Sequence, residues 1–413
     1  MFKTLRKTEY FELMVLFLVQ GAAMAVWVVP LGVILDVHGM HSIKPFAFAT
    51  GSLAAFVSPL LFGAMADRHV PPAKVLRWLA LATAFMISIV ATAIKFNSNE
   101  WLVLALIQMM ALASAPMLSI TSAVVFARLA DPKEFAAMRV MMTIGWVTGC
   151  ILASLFNLDT SAFAGYVSAV IWLILAAYTF FLPQQEMPKS AENLSWHERL
   201  GLDALVLLKN PDHRVIFLMT TLVSIPIAGF YPYAPVNLRD LGFVHSSAWM
   251  SLAQTTEAIA IFSMSWLLLK WRMKWIFTFG LAFAVARFVF SAINTKTCLL
   301  IGIALHGASF AFISITAQIY LDQRIEPSWR ARSQALLTLM NNGFGFLIGY
   351  LGTGWWFNAC THPAGTQWNY FWGGCAAVAV GAMAYFLTAY RGQSSERPRG
   401  QDPGNQPVSV RVK

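Results

Sequence analysis

Long apolar runs alternate with short polar segments along most of the chain. A helix crosses the hydrocarbon core of a bilayer with about 20 mainly apolar residues. Twelve runs meet this requirement, roughly at residues 11–35, 44–64, 75–95, 101–126, 137–156, 162–182, 214–236, 246–269, 274–293, 298–321, 333–353 and 369–390. The pattern therefore predicts an all-α integral membrane protein with twelve transmembrane helices.

A longer polar stretch, residues 183–213, separates the sixth run from the seventh. It divides the membrane region into two six-helix bundles, residues 1–182 and 214–390. Residues 391–413 are rich in Gly, Pro, Ser, Gln and Arg, and they hold too little apolar surface to order themselves. We therefore predict two bundles, a loop between them and a disordered tail.

Composition supports the membrane assignment. The chain is 58% hydrophobic and 12% charged, and its mean hydropathy is +0.62. Soluble domains carry roughly 25% charged residues and about 45–50% apolar ones. A chain this apolar has too few polar side chains to cover its surface in water. The lipid bilayer is therefore its first predicted partner.

The positions of Lys and Arg orient the predicted helices. With the N-terminus in the cytoplasm, most basic residues fall in cytoplasmic segments, and Lys44, Lys95, Arg239 and Lys296 lie on the other side. Cytoplasmic loops are enriched in Lys and Arg, so the loop, the tail and both termini are predicted to be cytoplasmic. The expected location is the plasma membrane, which is the inner membrane if the source is bacterial. Nucleic-acid binding needs basic residues clustered on one surface, so the net charge of +10 does not indicate it.

Motifs of soluble enzymes are absent from the chain. It has no Walker loop, dinucleotide fingerprint, zinc-ligand spacing or nucleophile elbow. We therefore predict that it is not an enzyme and has neither a cofactor nor a metal site. Cys150 and Cys375 fall inside apolar runs and are predicted to be buried, whereas a disulfide between Cys298 and Cys360 remains open.

Glu257 is the strongest candidate for function, because it lies near the middle of the eighth run. A charge at the bilayer centre costs about 2.5–3.5 kcal/mol on insertion scales, and protonation of a carboxylate removes that cost. Gln254 precedes Glu257 by three residues and shares its helix face. A structural glutamate bonded to a neighbouring helix is the alternative.

Arg139 lies about one turn inside the fifth run. Thr143 and Trp146 follow at helical spacing on the same face, so a guanidinium, a hydroxyl and an indole suited to a polar aromatic solute lie in one line. An arginine that only reaches back to the membrane surface is the alternative. Gln20 and Trp27 share a face of the first helix. They are a further candidate pair.

His306, in the tenth run, is either a substrate contact that titrates near neutral pH or a core histidine. Arg287, in the ninth run, is predicted to form a structural pair. Asn341 and Asn342 are predicted to bond between helices beside close packing at glycine.

Two six-helix halves resemble the major facilitator architecture, in which substrate binds near the midplane between repeated halves that rock against each other. Residues 63–68 (GAMADR), after the second run, resemble the Gly-x-x-x-Asp-Arg gating motif of that superfamily. Asp67 and Arg68 are therefore predicted to act in gating.

The chain resembles, in particular, the nucleoside:proton symporter family of that superfamily. This resemblance implies alternating-access uptake of nucleosides, driven by inward proton flow and carried out by a monomer. It implies that Arg139, Thr143, Trp146 and Gln254 contact the nucleoside and that Glu257 is linked to substrate and protons. The similarity lies in Gln20 with Trp27 and in residues 139–146 (RVMMTIGW), 254–257 (QTTE), 306–312 (HGASFAF), 318–322 (QIYLD), 330–334 (RARSQ) and 342–345 (NGFG).

The chain departs from the family pattern at two positions. Ala311 stands where the family usually has an acidic residue, so a carboxylate is missing from the expected cavity, and Met142 replaces a glycine. An alternative function is therefore a major facilitator carrier for a sugar, another small polar metabolite or a drug. Such a carrier could work as an exporter.

Overall fold

The computed structural model describes residues 7–58, 71–126, 128, 135–182, 197 and 200–392. Nearly all of this part of the chain is helical. The first half forms α1 (Lys7–Val28), α2 (Leu31–Val37), α3 (Lys44–Ser58), α4 (Pro72–Lys95), α5 (Glu100–Ser114), α6 (Met117–Phe126), α7 (Phe135–Leu155) and α8 (Phe163–Tyr178).

The second half begins with a 3-10 helix, Leu202–Lys209. Two π-helical segments follow further along: the first is Ala311–Ile315 and the second is Leu339–Gly345. An antiparallel hairpin of β1 (Thr361–His362) and β2 (Gly365–Thr366) precedes the last helix. The helices are α9 (Pro211–Ala228), α10 (Phe230–Asp240), α11 (Ser246–Met250), α12 (Leu252–Lys270), α13 (Met273–Ile293), α14 (Lys296–Phe310), α15 (Thr316–Arg324), α16 (Pro327–Thr338), α17 (Phe346–Cys360) and α18 (Trp368–Ala389).

Prolines and capping residues explain several helix ends. Pro30 lies between α1 and α2, and Pro116 lies between α5 and α6. Proline lacks the N–H that continues a helix, and its ring clashes with the preceding turn. Asn210 caps α9, because its side chain accepts hydrogen bonds from two N–H groups of the first turn. Helix α9 therefore begins at Pro211, within the predicted loop 183–213.

Ten helices in the described ranges are long and apolar enough to cross a membrane. The predicted sixth run forms a shorter apolar helix, Phe163–Tyr178. The predicted second run is described only as far as Ser58. The all-α membrane fold is confirmed, whereas the number of twelve transmembrane helices stays a prediction.

Close helix contacts hold each half together. In the first half α1 packs on α7, and in the second half α12 packs on α14. A Cβ added at Gly145 would overlap the backbone oxygen of Leu18, and one added at Gly307 would overlap that of Ala253. Small residues let membrane helices approach this closely. Close packing matters in lipid because apolar side chains gain little by leaving lipid for a helix interface.

The two halves meet at one end of the bundle, which we call the closed end and define by Asp36, Lys44, Asp159 and Ser246. There α2 packs on α10, α3 on α17 and α7 on α11. The ammonium group of Lys44, which is 1% exposed, lies 2.6 Å from the carboxylate of Asp36 in its own half.

The same ammonium group lies against two aromatic rings of the second half. Its nitrogen is 5.1 Å from the ring centroid of Tyr233 and 4.7 Å from that of Phe357. A cation over an aromatic face is attracted to the ring quadrupole, most strongly when it is desolvated. Lys44 therefore links the halves at the closed end.

Candidate functional site

A cavity of about 540 Å³ lies between the two halves, within the range of about 300–1,000 Å³ that is typical of small-molecule sites. Helices α1–α3 and α5–α7 form its wall on one side, and α10, α12, α14, α17 and the second π segment form it on the other. Both halves contribute aromatic rings. They are Trp27, Phe48 and Trp146 from the first half, and Tyr231, Phe310, Phe346 and Tyr350 from the second.

Helix α7 brings three of the predicted residues to the cavity. Arg139, Thr143 and Trp146 all line it, because their spacing keeps them on one helix face. The indole of Trp146 lies 5.7 Å, between centroids, from the ring of Tyr231 in the other half. Its Nε1 is buried and has no hydrogen-bond partner among the described residues.

Helix α12 supplies the opposite wall with Gln254 and Glu257. The Nε2 of Gln254 donates a hydrogen bond to the hydroxyl of Tyr231 at 3.0 Å. Arg139 and Glu257 belong to different halves, and their opposite charges attract each other across the cavity. The two halves therefore contribute opposite charges to the wall of one cavity.

Four buried polar atoms of cavity-lining residues have no hydrogen-bond partner within the described ranges. An unsatisfied buried polar group costs about 1–3 kcal/mol, so a polar ligand that reached these atoms would gain free energy by bonding to them. Two are indole donors, one is an amide acceptor and one is a hydroxyl. They are Nε1 of Trp27, Nε1 of Trp146, Oε1 of Gln254 and Oγ of Ser52.

Two predicted site residues do not line the cavity. The Oε1 of Gln20, which is fully buried, accepts a hydrogen bond from the hydroxyl of Thr121 at 2.7 Å. His306 stacks on Phe230 with 3.9 Å between centroids and forms a hydrogen bond with Arg287. Both residues lie behind the wall, and a substrate contact by either stays a prediction.

Ala311 also lies away from the cavity, contrary to the expectation that it marks a missing carboxylate on the wall. It is fully buried in an apolar cluster with Met264 and Ile276, between α12 and α13. The preceding residue, Phe310, lines the cavity instead, and so does Met142. Position 311 is therefore not part of the cavity wall in this structure.

Several cavity residues were not predicted from the sequence. Ser52, Tyr231 and Tyr350 line the wall, as does Asn342, which was predicted only to bond between helices. Of these four residues, Asn342 lies in a π-helical segment, and such segments often occur at functional sites. The neighbouring Asn341 does bond between helices, accepting from Thr221 at 3.3 Å.

The remaining predictions concern Asp67, Arg68 and the cysteines. Asp67 and Arg68 lie outside the described residues. All four cysteines are free, so the structure contains no disulfide between Cys298 and Cys360.

Two helical halves around a central cavity, with charged and aromatic groups facing each other across it, define a secondary transporter of the major facilitator type. Residues 7–395 match the family model described as nucleoside H+ symporter. The chain therefore belongs to the nucleoside–proton symporter family, and it is a transporter, not an enzyme.

Individual relatives agree with this assignment. YegT of Escherichia coli (strain K12), a candidate nucleoside transporter, is 30% identical over 78% of this chain and 79% of its own. The nucleoside permease NupG of the same organism is 24% identical over 86% of this chain and 88% of its own. A crystal structure of a mutant of the nucleoside transporter NupG matches the fold with a TM-score of 0.86 at 22% identity, covering 93% of this chain and 100% of that one.

Proposed function

We propose that this protein imports nucleosides together with protons by alternating access, as a monomer of twelve transmembrane helices. Both termini are in the cytoplasm, and the protein resides in the plasma membrane, which is the inner membrane in a bacterium. The family supports the class of substrate and the coupling ion. The distribution of Lys and Arg supports the orientation.

In this orientation the closed end faces the outside of the cell. The close contact between α2 and α10 and the burial of Lys44 support an outer side that is sealed in this state. Substrate from outside then reaches the cavity only after the halves separate at the closed end. This is the step that an alternating-access carrier repeats in each cycle.

The cavity wall supports a nucleoside as substrate. A nucleoside has a flat aromatic base and a sugar with several hydroxyl groups. The aromatic rings of Trp146 and Tyr231 on the cavity wall support stacking on a base. The unpartnered atoms of Trp27, Ser52 and Gln254 support hydrogen bonds to polar groups of the base or the ribose. These unpartnered atoms are the observation that carries the proposal.

Uptake of labelled uridine and adenosine into proteoliposomes tests this function. We expect saturable uptake that rises when the outside is made more acidic than the inside. A correctly folded protein that takes up neither nucleoside with saturation would refute the proposal. A thermal-shift screen with sugars and nucleosides tests the alternative cargo, since a ligand stabilises the folded state it binds.

The variant Trp27→Phe is predicted to weaken nucleoside binding by about 2- to 13-fold, which corresponds to one hydrogen bond of about 0.5–1.5 kcal/mol. Phenylalanine keeps an aromatic ring but removes the buried indole donor. Calorimetric titration of the purified protein measures the Kd. The matched control is Trp78→Phe, because Trp78 is 62% exposed on the outer surface of the bundle. Equal Kd values for the parent and Trp27→Phe would contradict the prediction.

A further inference from the structure

The N-terminus of α11 is capped by side chains from the other half of the protein. The backbone N–H of Ser247 donates to Oδ1 of Asp159 at 2.7 Å, and the hydroxyl of Ser246 donates to the same oxygen at 3.1 Å. The backbone N–H of Ala248 donates to Oγ of Ser154 at 2.9 Å. His245, which precedes α11, provides no side-chain cap of its own.

This arrangement satisfies a general need of helices. The first four N–H groups of a helix have no partner within it, and a carboxylate is a favoured partner because the helix dipole attracts negative charge. Asp159 and Ser154 are 4% and 3% exposed. Water has little access to these bonds, so it does not replace the capping side chains in this state. The cap therefore depends on the first half remaining in contact with α11.

The capped helix leads directly to the functional site. Only Ser251 separates α11 from α12, which carries Gln254 and Glu257. Ser154 lies on α7, the helix that carries Arg139. The cap therefore connects the two helices that face each other across the cavity, and it does so at the closed end.

We propose that Asp159 is a positioning residue of the transport cycle, which caps α11 across the two halves only while the closed end is sealed and thereby stabilises that state. When the halves separate at this end, the bonds to Ser246 and Ser247 break and water replaces the carboxylate. This proposal rests on the alternating access proposed above. It does not depend on which solute the protein carries.

Spin-label distances across the closed end test this proposal without any substrate. Labels at Phe96→Cys in the first half and Ala364→Cys in the second, both exposed sites, report the separation. The partly exposed Cys298 is replaced by serine. In Asp159→Ala, we expect the ratio of long to short distances to rise by about 2- to 30-fold, as the loss of an N-cap implies.

Two further variants make the result specific. Asp159→Asn keeps an oxygen that accepts hydrogen bonds, and we expect it to restore part of the short-distance population. Glu100→Gln is the control, because Glu100 accepts from the hydroxyl of Ser42 at 2.5 Å within the first half. We expect it to leave the distance ratio unchanged.

An unchanged distance ratio in folded Asp159→Ala would overturn the proposal, and so would an equal shift in Glu100→Gln. Transport provides a second measurement, because a capping role changes the maximal rate of uptake more than the KM. A chain that shifts its distances as expected but takes up no nucleoside would refute the proposed cargo alone.

Discussion

Proteoliposomes that carry the Glu257→Gln variant are expected to exchange nucleosides across the membrane but not to accumulate them when protons flow inward. Glutamine is close to glutamate in shape and is always neutral, so it imitates the protonated carboxyl group. A carrier whose proton site is permanently neutral still reorients with substrate bound. The transport cycle of such a carrier has no step that binds or releases a proton, so a proton gradient cannot drive accumulation.

The position of Glu257 explains why this effect is expected to be large. An ionised Glu257 attracts Arg139 across the cavity, from one half of the protein to the other. Protonation removes this attraction, and it also removes the cost of a charge that is held away from water. A proton therefore changes both the force between the halves and the cost of closing the cavity.

The measurement is the ratio of internal to external nucleoside under an imposed pH difference. With one proton per nucleoside, a difference of one pH unit supports about tenfold accumulation by the parent, whereas the variant should only equalise the concentrations. Thr255→Val is the matched control, because Thr255 is an exposed residue of the same helix. Accumulation by Glu257→Gln equal to that of the parent would place proton coupling at another residue.

The shared face of the α7 residues follows from the sequence, because one helix carries all of them, whereas their contact with substrate stays a prediction. Arg139, Thr143 and Trp146 share a face by helical period alone, and all three line the cavity. Trp27 and Gln20 obey the same spacing, yet only Trp27 lines the cavity. The helical period determines the face of the helix on which a side chain lies. The neighbouring helices determine how far the cavity extends along that face.

Residues beside interruptions in helices could not be predicted in the same way. Tyr231 follows the break at Gly229, and Asn342 lies in the second π segment. Apolar runs continue through both places, so hydropathy alone shows no change there. The direction of these side chains depends on how α10 and α17 pack on the first half, and this packing joins residues far apart in the chain.

The acidic residue at the closed end provides the second large effect. We expect Asp36→Ala to lower the free energy of unfolding by about 3–5 kcal/mol, because it leaves the buried ammonium group of Lys44 without its carboxylate. The aromatic faces of Tyr233 and Phe357 remain beside Lys44. Their attraction of about 2 kcal/mol only partly replaces that of an anion.

A pair of variants separates the effect of an unpaired charge from that of a lost contact. Lys44→Met removes the charge while keeping a long apolar side chain, so we expect Asp36→Ala combined with Lys44→Met to recover most of the stability lost in Asp36→Ala alone. The free energies are measured by titration with SDS in mixed micelles. Asp322→Ala is the control, since Asp322 pairs with Arg330 at 3.5 Å on the surface, where a pair contributes at most about 1 kcal/mol.

The Asp36 and Lys44 variants are expected to affect transport as well as stability. The penalty in Asp36→Ala applies to the state in which Lys44 is buried, and separation of the halves at the closed end gives its ammonium group access to water. The variant therefore favours the open arrangement of that end, in the same direction as loss of the Asp159 cap. If the double variant were no more stable than Asp36→Ala, an unpaired lysine would not be the cause of the lost stability.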